Sequence, residues 1–391
     1  MANDNLGAAK KAKNDEFYTQ YADIEKEMNA YLEYNPDVFR DKTILLPCDD
    51  PEWSNFTKYF AQNFETFGLK KLISTSYAPN SKPRDIPYQP ALFELEDDRF
   101  DEEKTQANGK IFTLTRDTSG DKRIDVDDLE WSYLEGDGDF RSDEVTKLRD
   151  EADVIITNPP FSLFRDFLSW IVEGEKQFST IGNMNAITYK ETFLLIKMNE
   201  MWLGATNFNV GMYFEVPESW TYSDSYKFDR ERDGKKVSRV PGVCWFTNIE
   251  HGRRHQPLPL MTMADNIKFS KHKEVKGAEY QKYDNYDAIE VPFADAIPSD
   301  YDGVMGVPIS FLDKYSPEQF EIVGADNGFT KPLKLYPKKT KVVNGVRQPS
   351  QTGAMGSVIR RDSFGTGTYF DVGYPVMAVY KRIFIRHRRT E

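Results

Sequence analysis

The stretch from Asp153 to Phe161 constrains this chain most. Val154, Ile155 and Ile156 are consecutive apolar residues, as expected of a strand buried on both faces of a parallel sheet. They run directly into Asn158-Pro159-Pro160-Phe161. Two successive prolines cannot continue a sheet ladder, and they stiffen the turn that ends it. A helix is expected next, with Phe164, Phe167, Leu168 and Ile171 on one stripe and Gly174 as its stop. Strand, rigid corner and amphipathic helix together belong to an α/β sheet, whose ligand sites lie at the carboxyl ends of its strands.

The same alternation runs through the first 200 residues. Asp23 is expected to cap a helix carrying Ile24, Met28, Tyr31 and Leu32. A short strand, Thr43 to Leu46, leads into Pro47-Cys48-Asp49-Asp50-Pro51. Ser54 then caps one helix with Phe56, Phe60, Phe64 and Phe67 on its apolar face. Lys71 to Thr75 reads as a second strand, Glu144 to Glu151 as a polar helix, Phe178 to Ile181 as a strand and Tyr189 to Met201 as a helix. An insertion over about 79–138 carries a strand from Lys110 to Arg116 and a hairpin turn at Thr118 to Asp121. Beyond about Asn248 the pattern decays into short β-like runs.

Charge is distributed unevenly. The chain has 51 Lys+Arg against 63 Asp+Glu, a net of −12, but Glu94 to Asp150 alone holds 19 acidic and 9 basic residues. Asn327 to Arg361 holds eight basic residues, Lys331, Lys334, Lys338, Lys339, Lys341, Arg347, Arg360 and Arg361, and no acidic one. Lys227 to Lys276 and Lys381 to Arg389 are also basic. Three such runs in the C-terminal half point to phosphate contact despite the acidic total. No apolar run approaches the ~18 residues of a membrane span. With only Cys48 and Cys244 and no secretory leader, a reducing cytoplasmic setting is expected. The histidines, His251, His255, His272 and His387, have no metal-ligand spacing, so no metal site is expected, and they are read as surface or phosphate-facing groups.

The corner at Asn158 offers a specific chemistry. The Asn158 side-chain oxygen and the Pro159 carbonyl can together accept both hydrogens of one NH₂ group. An exocyclic nucleobase amine is a poor nucleophile because its lone pair is delocalised into the ring. Accepting both hydrogens favours a tetrahedral nitrogen with that pair available. Phe161 supplies a flat face on which a base can stack.

These residues carry a resemblance. Asn158 to Phe161 resembles the catalytic Asn-Pro-Pro-aromatic motif of S-adenosylmethionine-dependent amino-methyltransferases. Phe17-Tyr18-Thr19 is similar to the element that precedes the cofactor domain in adenine-specific DNA methyltransferases. The order of elements, with the basic region last, is the gamma arrangement. Ile181 to Glu191, Cys244 to Asn248 and Gly306 to Tyr315 further resemble the EcoRI-type adenine-specific family. The resemblance implies a doubly wound, Rossmann-like methyltransferase sheet with an acidic β-hairpin insertion and a C-terminal mixed α/β target-recognition region. It implies a catalytic domain over residues 1–250 and a DNA-binding region over 251–391. Asn158, Pro159, Pro160 and Phe161 would be catalytic. Phe17, Tyr18, Thr19, Cys48, Asp49, Asp50, Asp139 and Asn158 would bind S-adenosylmethionine, and the eight basic residues of 327–361 would bind DNA.

The chain departs from general methyltransferases in lacking a Gly-x-Gly loop after its first long strand, and its second such strand ends in Ser74-Thr75-Ser76 without an acidic residue. Asp49 or Asp50 is the expected substitute at the ribose hydroxyls, with Asp139 at the cofactor adenine. The implied reaction is N6-methylation of a flipped adenine in double-stranded DNA by a restriction-modification, orphan or phage enzyme acting as a monomer. A separate cognate restriction endonuclease is the further partner considered. Rival readings are methylation of RNA adenine or protein glutamine, and a catalytically silent DNA-binding relic.

Overall fold

A computed structural model of the chain describes residues 18–50, 54–78, 100–206, 208, 210–216, 218, 220–326, 328–350, 355–360 and 367–388. The chain divides into two compact units, Met1–Ala186 with Met201–Gly252, and Ile187–Glu200 with Arg253–Glu391. The helix expected over 189–201 spans Lys190–Met198 and belongs to the second unit.

The first unit contains β1 (Tyr18–Thr19), β2 (Thr43–Leu46), β3 (Lys71–Ser76), β4 (Lys110–Leu114), β5 (Glu130–Tyr133), β6 (Val154–Thr157), β7 (Gln177–Asn183), β8 (Trp202–Leu203), β9 (Met212–Glu215), β10 (Glu231–Arg232), β11 (Lys235–Val240) and β12 (Val243–Thr247). Eight of these form one mixed sheet in the order β5-β4-β3-β2-β6-β7-β12-β8. β3, β2, β6 and β7 are mutually parallel, and the outer pairs are antiparallel. Every residue of β2 and of β6 is buried, as their unbroken apolar runs require. From β2 the chain goes to β3 on one side and returns as β6 on the other, so the order reverses between β2 and β6. That reversal opens a crevice at the strand ends.

Local chemistry accounts for the flanking elements and for several departures. The first helix among the described residues spans Tyr21–Tyr34, with Gln20 rather than Asp23 at its cap. Asp23 lies in the first turn, where a carboxylate still complements the helix dipole. Ser54 caps Asn55–Gln62 by accepting a hydrogen bond from the Phe56 N–H. The helix then breaks at Asn63, so the four phenylalanines are carried by two pieces, Asn55–Gln62 and Phe64–Phe67. All four are buried in one core with Ile24, Met28 and Tyr31. The expected hairpin turn is instead a long loop between β4 and β5. Asp117 accepts from the Gly120 and Lys122 N–H groups (2.6 and 2.8 Å), and Asp128 from those of Thr118 and Ser119 (2.8 and 2.7 Å). His251 is buried rather than on the surface, with its Nε2 3.0 Å from the Leu203 carbonyl.

The second unit contains β13 (Ile289–Glu290), β14 (Met305–Pro308), β15 (Phe320–Ala325), β16 (Thr340–Val343), β17 (Val346–Arg347), β18 (Val358–Arg360), β19 (Thr368–Asp371), β20 (Pro375–Ala378) and β21 (Arg382–His387). They form two small sheets, β13-β14-β21-β15 and β17-β16-β19-β20-β18. The basic C-terminal run is a central strand: Ile383, Phe384 and Ile385 of β21 are buried. Arg382 pairs with Glu290 at 2.6 Å and Arg386 with Glu321 at 2.7 Å, so this run largely serves the fold.

Candidate active site

The carboxyl ends of β3, β2 and β6 are neighbours; β2 and β6 lead into groups singled out in the sequence, and the loop that carries Asp139 packs against the end of β3. β6 ends in Asn158. Pro159 is buried, and Asn158, Pro160 and Phe161 are partly exposed. The chain leaves the corner as a single tight turn, Phe161–Leu163, in which the Leu163 N–H donates to the Pro160 carbonyl at 2.9 Å, and enters the helix Phe164–Glu173. Phe161 packs edge-on against Phe214 of β9, with ring centroids 6.2 Å apart.

That contact ties the corner to the Tyr18–Thr19 element. β1 pairs with β9, placing Thr19 opposite Phe214. Asn55, the first residue of the helix after the β2 loop, donates its side-chain N–H to the Thr19 carbonyl at 2.7 Å. Thr19, the helix start and the Phe161 ring are therefore linked through direct contacts. Phe17 lies outside the described residues.

The β2 loop supplies Cys48, Asp49 and Asp50. Cys48 and Asp50 are partly exposed, whereas Asp49 is only 6% exposed. Asp49 Oδ1 accepts from Ser54 Oγ at 2.7 Å, and Oδ2 accepts from Thr157 Oγ1 at 2.5 Å. Burial pushes its carboxyl up to about 7, against the effect of those two hydroxyls, and the neighbouring Asp50 charge raises it further. Both carboxylate oxygens thus face protein groups, unlike those expected of a ribose ligand.

Asp139 is brought to the end of β3 by a glycine loop. The Ala78 N–H donates to the Asp137 carbonyl at 2.7 Å. Gly138 has φ +85°, and a Cβ there would lie 2.2 Å from the Ser76 carbonyl oxygen, so only glycine allows this approach. Arg141 forms a two-pronged pair with Asp139 (3.0 and 2.6 Å) and holds its carboxyl below the ordinary range, against burial.

Several contributors were not recognised in the sequence: Asn55, Thr157, Gly138 and Phe214. Thr157 had a visible signal, being the polar residue that ends an otherwise apolar strand. Asn55 had a weaker one, a polar side chain just inside a helix start. Phe214 had none, because its role depends on the β1–β9 pairing. Two further hydroxyls, Thr19 Oγ1 and Thr75 Oγ1, are buried without a hydrogen-bond partner among the described residues. Orphaned buried hydroxyls beside a partly exposed acidic loop suit a polar ligand such as a nucleoside.

The basic residues of 327–361 belong to the second unit and differ among themselves. Lys334 pairs with Asp284 at 3.3 Å and bonds to the Tyr374 hydroxyl. Arg347 pairs with Asp371 at 2.6 Å. Lys331 and Lys338 are exposed, Lys339 and Lys341 partly so, and Arg360 lies over the Tyr374 ring at 4.4 Å. Arg361 lies outside the described residues.

Comparison with known proteins gives the family. The family model described as "Adenine-specific methyltransferase EcoRI" matches residues 5–388. The Type II methyltransferase M.EcoRI of Escherichia coli is 41% identical over 319 residues, covering 81% of this chain and 88% of that protein. M.MpnI of Mycoplasma pneumoniae is 35% identical over 317 residues, covering 81% and 83%. M.MgeORF184P of Mycoplasma genitalium is 34% identical over 316 residues, covering 81% and 84%. No solved structure matches the chain. A match across nearly the whole length, on a sheet that gathers the Asn-Pro-Pro-Phe corner with its flanking acidic loops, means that the chain belongs to the EcoRI-type adenine-specific methyltransferase family.

Proposed function

We propose that the corner at Asn158 is where this adenine-specific methyltransferase receives an adenine flipped out of duplex DNA. Asn158 and the Pro159 carbonyl accept the two N6 hydrogens, and Phe161 supports the base by stacking, a contact of roughly 1–3 kcal/mol. The observation that carries this reading is the placement of the corner at the end of β6, beside the reversal of strand order. Pro159 and Pro160 keep the corner rigid, so little reorganisation accompanies transfer.

S-adenosylmethionine, when bound, supplies a methyl group activated by a positively charged sulfur; the N6 lone pair forms the new bond, neutral S-adenosylhomocysteine leaves, and one N6 proton is released. In the proposed assignment Tyr18, Thr19, Cys48, Asp50, Asp139 and Asn158 face the cofactor. Asp50 is the nearest substitute for the absent ribose-binding acid, since Asp49 faces inward. Thr19 Oγ1 and Thr75 Oγ1 are further partners for its polar groups.

The first unit, with its Rossmann-like parallel core, acts as the catalytic domain, and the second unit positions the duplex. Lys331, Lys338, Lys339, Lys341 and Arg360 are its phosphate ligands, while Lys334 and Arg347 hold the sheet together through Asp284 and Asp371. The acidic β4–β5 region keeps phosphate away from its own face. We place the enzyme beside a separate endonuclease of the same site, acting as a monomer in the cytoplasm.

Asn158→Ala tests the assignment. It is expected to abolish transfer of labelled methyl groups while leaving duplex affinity within about 3-fold. Near-normal turnover by this variant refutes the role of the corner.

A further inference from the structure

Asp49 is the least expected group in this site. Its backbone N–H donates to the Thr75 carbonyl at 3.1 Å, and its own carbonyl accepts from the Ser74 and Thr57 hydroxyls. The residue is therefore fixed at both ends and cannot swing into solvent. Its carboxylate lies between Ser54, which caps the helix whose first residue holds Thr19, and Thr157, which precedes Asn158. The charged group that acts on it is Asp50, which opposes ionisation; Ser54, Thr57, Ser74 and Thr157 are neutral. Among the described residues no lysine or arginine forms an ion pair with it.

A buried carboxylate with no cation of its own is costly to keep ionised. A permanent cation arriving nearby removes much of that cost. The donor brings one, and the product does not: sulfonium sulfur becomes a neutral thioether. In the cofactor reading above, a donor whose methyl group serves an amine at Asn158 would bring its positive charge toward the strand end that Asp49 grips through Thr157.

We propose that Asp49 is a positioning residue for methyl transfer: its carboxylate ties the loop after β2 to the residue preceding Asn158, and its negative charge favours the cationic donor over the neutral product. The inference rests on the cofactor reading above and adds to it a means of releasing product. At low pH the free protein holds Asp49 neutral, and donor binding must expel a proton. As pH rises through about 7 that penalty disappears, so donor affinity climbs while product affinity does not.

Calorimetric titration of the full chain with S-adenosylmethionine and with S-adenosylhomocysteine, at about pH 6 and about pH 8, reads this directly. The wild type is expected to gain about 10-fold in donor affinity across that range and to change less than about 2-fold for product. The amino-acid portion common to both ligands cancels in the ratio. Asp49→Asn removes the gain. Thr157→Val, which deletes the tie to the corner and one hydroxyl that favours the ionised carboxyl, is expected to lower turnover about 10-fold and to move the gain in donor affinity to higher pH, and Thr157→Ser restores both. An equal pH gain in Asp49→Asn, or wild-type turnover in Thr157→Val, overturns the proposal and leaves the cofactor reading intact. A wild type that binds neither ligand overturns both.

Discussion

Replacing Asp49 with asparagine is expected to stabilise the first unit at high pH and to give no benefit at low pH. The ordinary Asp carboxyl titrates at 3.8, and burial raises Asp49 to about 7. As pH rises, the unfolded chain releases this proton first, so the native state loses stability between those two values. A difference of about three units corresponds to about 4 kcal/mol, fully expressed above about pH 7. Asparagine never ionises and avoids this loss. It also gives up something: Ser54 and Thr157 both donate to the carboxylate, and one oxygen cannot replace two. That mismatch costs about 1 kcal/mol where the carboxyl is ionised. The net expectation is a gain of about 2–3 kcal/mol at about pH 8 and a change of less than about 1 kcal/mol at about pH 4. Urea unfolding followed by tryptophan fluorescence at the two pH values measures both, using the transition of the first unit. A difference between variant and wild type that is the same at both pH values refutes the reasoning, because it means that Asp49 does not titrate between them.

Gly138→Ala should cost about 1–3 kcal/mol and weaken cofactor binding, because its Cβ would meet the Ser76 carbonyl and displace Asp139. Gly120→Ala is the control: φ is similarly positive (+81°) with nothing within 4 Å, so thermal unfolding should shift by only about 1 kcal/mol and binding should not change. The double change of Lys338 and Lys339 to Ala should reduce the slope of log K against log salt for duplex binding by about 1.8, whereas Arg347→Ala should leave it unaltered, since that guanidinium is held by Asp371. An unchanged slope in the lysine variant clears both residues of phosphate contact.

Much of the candidate site was legible because it is written in contiguous residues. The apolar run of β6, the two prolines and Phe161 lie side by side in the chain. Their meaning follows from backbone stereochemistry and the exclusion of proline from sheet ladders. Ser54 as a cap and the burial of Phe56 and Phe60 were equally local. The basic runs were legible as composition but not as function. Lys334, Arg347, Arg382 and Arg386 are joined to Asp284, Asp371, Glu290 and Glu321, partners 24 to 92 positions away. Charge counting along the chain cannot detect such pairs.

The sequence by itself determined the parallel strand, the rigid corner at its end and the chemistry that an Asn-Pro-Pro-Phe turn can offer, because neighbouring residues set those features through backbone geometry. Only the tertiary structure decided which groups each acidic residue touches. Asp49, which with Asp50 was a candidate at the ribose, joins Ser54 to Thr157, a residue 108 positions beyond Asp49, while Asp139 reaches the end of β3 through a loop that glycine alone permits. The reason is that a carboxylate's role depends on which donors and charges surround it after folding. Those neighbours are brought together by strand order, not by spacing in the chain.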